Sequence, residues 1–282
     1  MKKYLLLMRL HRPIGILLLL WPTLWALWIA GQGHPDLKVL IIFILGVVVM
    51  RSAGCVINDI ADRNFDGHVE RTKNRPLVTG QVSLREAVIL FLLLCIVALL
   101  LVLQLNVFTI KLSFIGLALA IIYPFTKRYI YWPQFVLGLA FAWGVPMAFA
   151  AQLNTIPVIA WWVFLAAVLW PIAYDTMYAM ADREDDKLIG IKSTALLFGQ
   201  YDRLIIGFIQ VLVLLLLLFI GWQLKLNFIY FISLLIALIL VGYQQFLIKN
   251  REPKQCFRAF LNNNWFGLVV FLGFFISQLL RA

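Results

Sequence analysis

Nine apolar stretches, each long enough to cross a lipid bilayer, constrain the fold of this chain more than any other feature. A transmembrane helix needs about 20 predominantly apolar residues, and 63% of this chain is hydrophobic. The stretches are 14–30, 38–57, 86–104, 107–124, 134–150, 157–174, 204–221, 226–247 and 263–280. Because hydrocarbon offers backbone groups no hydrogen bonds, such stretches form helices. We therefore predict an all-α integral membrane protein, with about nine transmembrane helices in one bundle around a central cavity.

The basic residues fall unequally on the two sides that nine spans define. Of the 24 Lys and Arg residues, one side holds four and the side of the N-terminus holds the other twenty. Such a bias is typical of cytoplasmic loops. We therefore expect the N-terminus and the long loops 58–83 and 175–203 to lie in the cytoplasm, where the loops cap the cavity. The net charge of +11 then reflects topology, and we expect no nucleic-acid partner.

The chain is predicted to form a single domain, 1–282, because no polar linker or low-complexity segment divides it. Similar acidic segments follow the second and the sixth span, and this spacing suggests an internal repeat of spans 1–4 and 5–8. Three isolated cysteines show no metal-binding spacing. Membrane lipids are the expected surroundings, and no sequence feature indicates an obligate protein partner.

Two acidic motifs stand out because carboxylates are scarce, with 13 Asp and Glu in 282 residues. The first acidic motif is 58–66 and the second is 175–186. Helical periodicity places the polar residues of each motif on one helix face: Asn58, Asp59, Asp62 and Asp66 in the first, and Asp175, Tyr178, Asp182, Asp185 and Asp186 in the second. Stacked carboxylates repel one another unless a cation lies between them. Since Mg²⁺ is usually bound by one or two carboxylates together with substrate phosphates, the motifs predict a site for Mg²⁺ and a diphosphate.

Two other interpretations of the acidic motifs remain open from the residues alone. The motifs could be a solvated, charge-rich loop, or they could line the cation pathway of a transporter. Pathway charges are expected near the bilayer midplane, whereas these lie at helix ends. Their position suits a head group that enters from the cytosol while its lipid tail stays in the membrane.

The residues of both motifs resemble the UbiA superfamily of intramembrane aromatic prenyltransferases. The matching patterns are Asn58-Asp59-x-x-Asp62-x-x-x-Asp66 and Asp175-x-x-Tyr178-x-x-x-Asp182-x-x-Asp185-Asp186. Segments 9–15, 67–77 and 123–128 extend the resemblance to the branch that prenylates 4-hydroxybenzoate in ubiquinone biosynthesis. The resemblance covers nearly the whole chain and implies a transferase of the bacterial cell inner membrane.

The resemblance implies transfer of a polyprenyl group from polyprenyl diphosphate to the ring carbon ortho to the hydroxyl of 4-hydroxybenzoate. It assigns Mg²⁺ binding to five aspartates: Asp59, Asp62, Asp66, Asp182 and Asp186. It assigns further contacts with the diphosphate to Asn58, Arg63 and Tyr178.

The partners of the aromatic substrate stay open among several residues. Candidates for binding its carboxylate are Arg51, Lys127 and Arg128, and either Asp175 or Asp185 would activate the phenol or take the proton. Alternative functions are prenylation of another acceptor, such as a naphthoate or haem, and transport of a lipid or cation.

Overall fold

The computed structural model describes residues 1–64, 67 and 72–280, and the described residues form helices without a β-strand. We number thirteen α-helices in chain order: α1 Lys2–Leu7, α2 Ile14–Ala30, α3 Leu37–Asp62, α4 Leu84–Val102, α5 Val107–Thr126, α6 Pro133–Ala142, α7 Gly144–Leu153, α8 Val158–Ala181, α9 Arg183–Ile189, α10 Thr194–Phe198, α11 Asp202–Gln223, α12 Phe228–Leu247 and α13 Pro253–Leu279.

The described helices include eight segments that are long and apolar enough to span a membrane, with α6–α7 and α10–α11 each counted as one. The 17-residue α2 is a ninth apolar segment. The predicted all-α membrane architecture with about nine spans is thus confirmed. Some boundaries differ: α3 continues to Asp62 and α13 begins at Pro253, ten residues before the predicted span. Hydropathy misses these extensions because polar residues continue the backbone hydrogen bonding of a helix beyond its apolar part.

The fifth span is broken between α6 and α7. Helix α6 ends at Ala142, and α7 begins at Gly144 with Pro146 in its first turn. A proline is tolerated in a first turn, where its missing N–H leaves no bond unmade. A Cβ atom on Gly144 would lie 2.9 Å from Thr23 Oγ1, so glycine lets α7 approach α2 closely. In contrast, Pro171 lies inside α8, which stays helical from Val158 to Ala181.

Helices α4 and α5 lie at the periphery of the bundle. Of the nineteen described residues of α4 only Ala87 and Val102 are buried, and of the twenty of α5 only Thr109 and Pro124. Their remaining apolar side chains therefore face either the cavity described below or the surroundings of the protein.

Three consecutive asparagines connect α13 to three other helices. Asn262, Asn263 and Asn264 accept hydrogen bonds at 2.9–3.0 Å from Gln244 of α12, Trp170 of α8 and Trp21 of α2, respectively. Because successive residues of a helix point about 100° apart, one short stretch contacts three neighbours. These bonds fix the rotation of α13 about its axis.

We expect Asn263→Leu to lower the free energy of unfolding by about 1–2 kcal/mol, because the buried indole N–H of Trp170 loses its acceptor. Denaturant unfolding of the purified protein in mixed micelles would measure this. Gln104→Leu is the control, since the exposed Gln104, just beyond α4, bonds only the Leu100 carbonyl of that helix, at 3.4 Å. Equal stability of the two variants would contradict a stabilising role for Asn263.

Candidate active site at the ends of α3 and α8

The helices enclose a cavity of about 610 Å³, a volume in the range of small-molecule sites. Near the ends of α3 and α8 its lining is charged, with Arg9, Asp59, Asp62, Arg75, Lys127, Asp182 and Asp186. Elsewhere its lining is largely apolar, with Phe43, Val47, Leu101, Leu105, Phe141 and Met147. The cavity therefore joins an ionic compartment to a hydrocarbon-like one.

Asp59 of the first acidic motif is buried and paired with two arginines. Its Oδ1 accepts a hydrogen bond from Arg9 Nη2 at 2.6 Å and forms an ion pair with Arg75 Nη1 at 3.1 Å. A buried carboxylate needs such partners because its desolvation is costly. Arg9 adopts a left-handed backbone conformation with φ of 55°, and Arg75 belongs to the loop after α3. Two separate segments thus converge on one carboxylate.

Asp62 is also buried, but its two oxygens differ in their surroundings. Oδ2 accepts hydrogen bonds from Lys127 Nζ and, at 3.0 Å, from Asn58 Nδ2. Oδ1 has no hydrogen-bond partner within the described part of the chain. The Asp62 carboxylate therefore has one buried oxygen that no described protein group pairs with.

The second acidic motif faces the same cavity through Asp175, Tyr178, Asp182 and Asp186. The sequence predicted one helix through this motif, but α8 ends at Ala181, and Asp182 caps the separate helix α9 with φ of −100° and ψ of 7°. Asp186 N donates to Asp182 O at 2.9 Å across this junction. The first turn of α9 thus separates the carboxylates of Asp182 and Asp186.

The described residues contain no group of three His, Cys, Asp or Glu side chains that could hold a metal ion alone. Their chemistry nevertheless fits a hard cation whose coordination is completed by a substrate, because Mg²⁺ typically takes one or two carboxylates plus phosphate oxygens. The open Oδ1 of Asp62 supports this fit. Asp66, the remaining predicted ligand, lies outside the described residues.

Arg51 lines the cavity about three helical turns before Asp62. Its Nη1 donates to Cys55 Sγ at 2.9 Å, and its guanidinium carbon lies 5.7 Å from the ring centroid of Phe141. A Cβ atom on Gly15 of α2 would come within 2.4 Å of Arg51 Nε. Nε is buried beside Gly15 and has no hydrogen-bond partner among the described residues, so Arg51 approaches the cavity with its other guanidinium atoms.

Asp175 lines the cavity together with Arg51. Its carboxylate interacts with the side chain of Gln134 and lies within electrostatic range of Arg51 and Lys127. Gln134 in turn accepts a hydrogen bond from Thr194 N at 3.0 Å. Arg51, Asp175 and Gln134 thus contribute a cation, a carboxylate and an amide to the same part of the cavity.

Three candidate residues lie apart from the described cavity lining: Arg63, Arg128 and Asp185. The exposed Arg63 donates to Ile60 O at 3.4 Å. Arg128 donates to Ala61 O and lies over the ring of Phe125. Arg128 therefore contacts the backbone beside Asp62.

Several lining residues were not among the sequence-derived candidates: Arg9, Cys55, Arg75, Tyr123, Gln134 and Ser193. Gln134 carried a usable signal, because a buried amide within an apolar span needs a polar partner. Tyr123 lies within electrostatic range of both Asp62 and Asp175. The roles of Arg9 and Arg75 had no local signal, since their carboxylate partner is distant in sequence.

Residues 19–276 match the sequence profile of the UbiA prenyltransferase family. This match covers most of the chain, which therefore belongs to that family, as the acidic motifs predicted. Among its relatives, a 4-hydroxybenzoate octaprenyltransferase of Nitrosococcus oceani is 61% identical over 276 residues, covering 98% of this chain and 97% of the relative. The enzyme of the same name from Saccharophagus degradans is 60% identical, and the match covers 98% of this chain and 93% of that enzyme.

Solved structures of homologues share the fold. A UbiA homolog from Aeropyrum pernix superimposes with a TM-score of 0.81 at 24% identity, covering 92% of this chain and 97% of the homolog. A UbiA homolog from Archaeoglobus fulgidus, bound to GPP and Mg²⁺, gives a TM-score of 0.73 at 18% identity, covering 96% and 99%. The helical arrangement thus persists where few residues are shared.

Proposed function

We propose that this chain transfers a polyprenyl group from polyprenyl diphosphate to the ring carbon ortho to the hydroxyl of 4-hydroxybenzoate, releasing diphosphate. The main observation in favour is the single cavity that joins facing acidic motifs to an apolar compartment. This arrangement suits a donor with an anionic head and a hydrocarbon tail. The names of relatives about 60% identical over nearly their whole length favour 4-hydroxybenzoate over a naphthoate or haem.

The charged end of the cavity binds the diphosphate. Four described aspartates, with Asp66, would hold Mg²⁺: Asp59, Asp62, Asp182 and Asp186. When bound, Mg²⁺ neutralises negative charge on the diphosphate and makes it a better leaving group. The cationic partners of Asp59 and Asp62, together with Asn58 and Tyr178, line the same cavity and would donate hydrogen bonds to phosphate oxygens.

The transfer step begins when the bond between C1 of the prenyl group and the diphosphate oxygen breaks, with both electrons leaving on oxygen. Lys127 and Arg75 stabilise the charge that develops there, since donors fixed in place need no reorganisation. The allylic cation that remains lies toward the apolar compartment, where Phe141 and other apolar side chains exclude water.

The aromatic acid occupies the level of Arg51 and Asp175. Arg51 binds its carboxylate, because its guanidinium lines the cavity and suits a charge-assisted hydrogen bond to a carboxylate. The electron-rich ring carbon attacks C1, and a ring proton then leaves to restore aromaticity. Asp175 is the proton acceptor, because it lines the cavity, whereas Asp185 lies apart from the described lining.

The chain is a multi-pass membrane protein, and we propose that its charged end faces the cytoplasm of the bacterial inner membrane. Twenty of the 24 Lys and Arg residues fall on this side in the predicted topology. Polyprenyl diphosphate would then present its head group to the cytosolic end of the cavity while its tail stays among apolar side chains and lipid.

The direct test is product formation by membranes that carry this chain, supplied with labelled 4-hydroxybenzoate and a polyprenyl diphosphate. We expect an organic-extractable labelled product with Mg²⁺ and none with EDTA, and restored activity when excess Mg²⁺ follows EDTA. A labelled naphthoate in a parallel reaction tests the acceptor. If the naphthoate alone is prenylated, the proposed acceptor is wrong; if neither is prenylated while an active control enzyme forms product, transfer by this chain to 4-hydroxybenzoate is refuted.

Asp59→Asn, Asp62→Asn and Asp182→Asn should each lower kcat by about 100-fold or more, because each removes a charge that faces the leaving group. Initial rates at saturating substrates, normalised to the amount of protein in the membrane, would measure the loss. Asp36→Asn is the matched control: Asp36 is exposed and caps the start of α3, and asparagine caps equally well. Normal turnover in any active-site variant removes that residue from the proposed set.

Arg51→Gln should raise the KM for 4-hydroxybenzoate by about 10-fold or more while changing the KM for the prenyl donor little, since a charge-assisted bond to a carboxylate contributes about 1.5–3 kcal/mol. Arg85→Gln, which removes an exposed guanidinium outside the described cavity lining, serves as the control. Arg128→Gln should impair the use of both substrates together, because Arg128 supports the backbone beside Asp62. A selective rise in the KM for the acid in Arg128→Gln, but not in Arg51→Gln, would reassign the carboxylate partner.

A further inference from the structure

A buried carboxylate outside the described cavity lining bonds two arginines. Asp202, the first residue of α11, has no exposed surface. Its oxygens accept hydrogen bonds from Arg183 Nη2, from Arg251 Nε and Nη2 at 2.8–3.0 Å, and from Arg203 N at 2.6 Å. Arg251 Nη2 also donates to Gln200 O at 2.8 Å. We call Arg183, Asp202 and Arg251 the Asp202 cluster.

The Asp202 cluster joins three segments that are separate in sequence: the α8–α9 junction, the start of α11 and the loop between α12 and α13. Arg251 adopts a left-handed conformation with φ of 56°, which is unfavourable for a residue other than glycine. Its bonds to Asp202 hold it there, and they also raise the pKa of the Arg251 guanidinium. All three ionic side chains lie outside the described lining of the cavity, so the cluster does not contact the substrates.

The cluster is linked to the active site through Arg183. Arg183 directly follows Asp182, and the turn that starts at Asp182 carries Asp186 into the cavity lining. None of the described α9 residues is buried, so apolar packing contributes little to the position of this helix. Polar contacts hold it instead: Asp202 bonds Arg183 at its start, and Lys192 N, three residues after its end, donates to Lys127 O at 3.0 Å.

We propose that Asp202 is a positioning residue for the diphosphate end of the active site. By holding Arg183, it fixes the α8–α9 turn and therefore sets how Asp182 and Asp186 face Asp59 and Asp62. This inference rests on the proposed role of these aspartates in binding the divalent metal with diphosphate. Loss of the Asp202 charge weakens binding of the metal with diphosphate. It does not change binding of the aromatic acid by Arg51 and Asp175.

The test is binding of Mn²⁺, a spectroscopic substitute for Mg²⁺, to the purified full chain in the presence of inorganic diphosphate, followed by electron paramagnetic resonance. We expect Asp202→Asn to bind Mn²⁺ about 10- to 100-fold more weakly, the range for loss of a residue that orients metal ligands. The KM for 4-hydroxybenzoate should stay at the wild-type value. Wild-type Mn²⁺ affinity in Asp202→Asn would overturn the inference.

Glu86→Gln is the matched control, because it also converts a carboxylate in a first helical turn to an amide and breaks an ion pair, with Lys3 at 2.7 Å. It should lower the melting temperature without changing Mn²⁺ affinity. An equal loss of Mn²⁺ affinity in Glu86→Gln would mean a general loss of stability and would overturn the assignment to Asp202.

Two further variants separate the possible failures. Arg183→Gln removes the linking side chain but leaves Asp202 bonded to Arg251. It replaces Asp202→Asn if that variant does not fold. Wild-type Mn²⁺ affinity in Arg183→Gln also overturns the inference. Asp182→Asn tests the underlying function. If Asp182→Asn weakens Mn²⁺ binding while Asp202→Asn does not, the positioning role alone is wrong; if Asp182→Asn binds normally, the proposed metal role of Asp182 is wrong.

Discussion

The cost of placing a carboxylate in a hydrocarbon environment controls how the active site is built. A helix satisfies its own backbone in the membrane, but an ionised side chain must find its partners within the protein. Asp59 finds them in Arg9 and Arg75, and Asp62 finds Lys127. These bases come from the segment before α2, the loop after α3 and the end of α5. Compensation of two charges thus draws distant parts of the chain to the charged end of the cavity.

The same constraint orders the cavity along the axes of α3 and α8. Groups that suit a diphosphate lie where α3 and α8 end, whereas Arg51 lies eleven residues before Asp62 on α3, roughly 16 Å along the helix axis. Asp175 lies two turns before Asp182 on α8. In the proposed function, the diphosphate, aromatic and hydrocarbon portions of the two substrates would therefore meet side chains of matching character at successive positions along α3 and α8.

Features that depend on local composition could be predicted from the sequence. The spans follow from hydropathy, and the charged faces of α3 and α8 follow from helical periodicity. Ion pairs such as Arg9 with Asp59 could not be predicted, because fifty residues separate the partners and packing alone brings them together. The turn at Asp182 was missed because periodicity continues across a junction between two helices. Lys127 and Arg128 are adjacent in sequence, yet only the first is among the described lining residues. The single domain and the repeat of spans 1–4 and 5–8 stay predictions.

The peripheral position of α4 and α5 affects the physical environment of the substrate tail. Both helices contribute residues to the cavity lining, while most of their described residues are not buried within the protein. In a bilayer, acyl chains cover the outer faces of these helices and provide their lateral support. The lateral pressure of the lipid therefore acts on this wall through a single layer of helices. The free energy of accommodating a long isoprenoid chain then depends on the order and thickness of the surrounding membrane as well as on the amino-acid sequence.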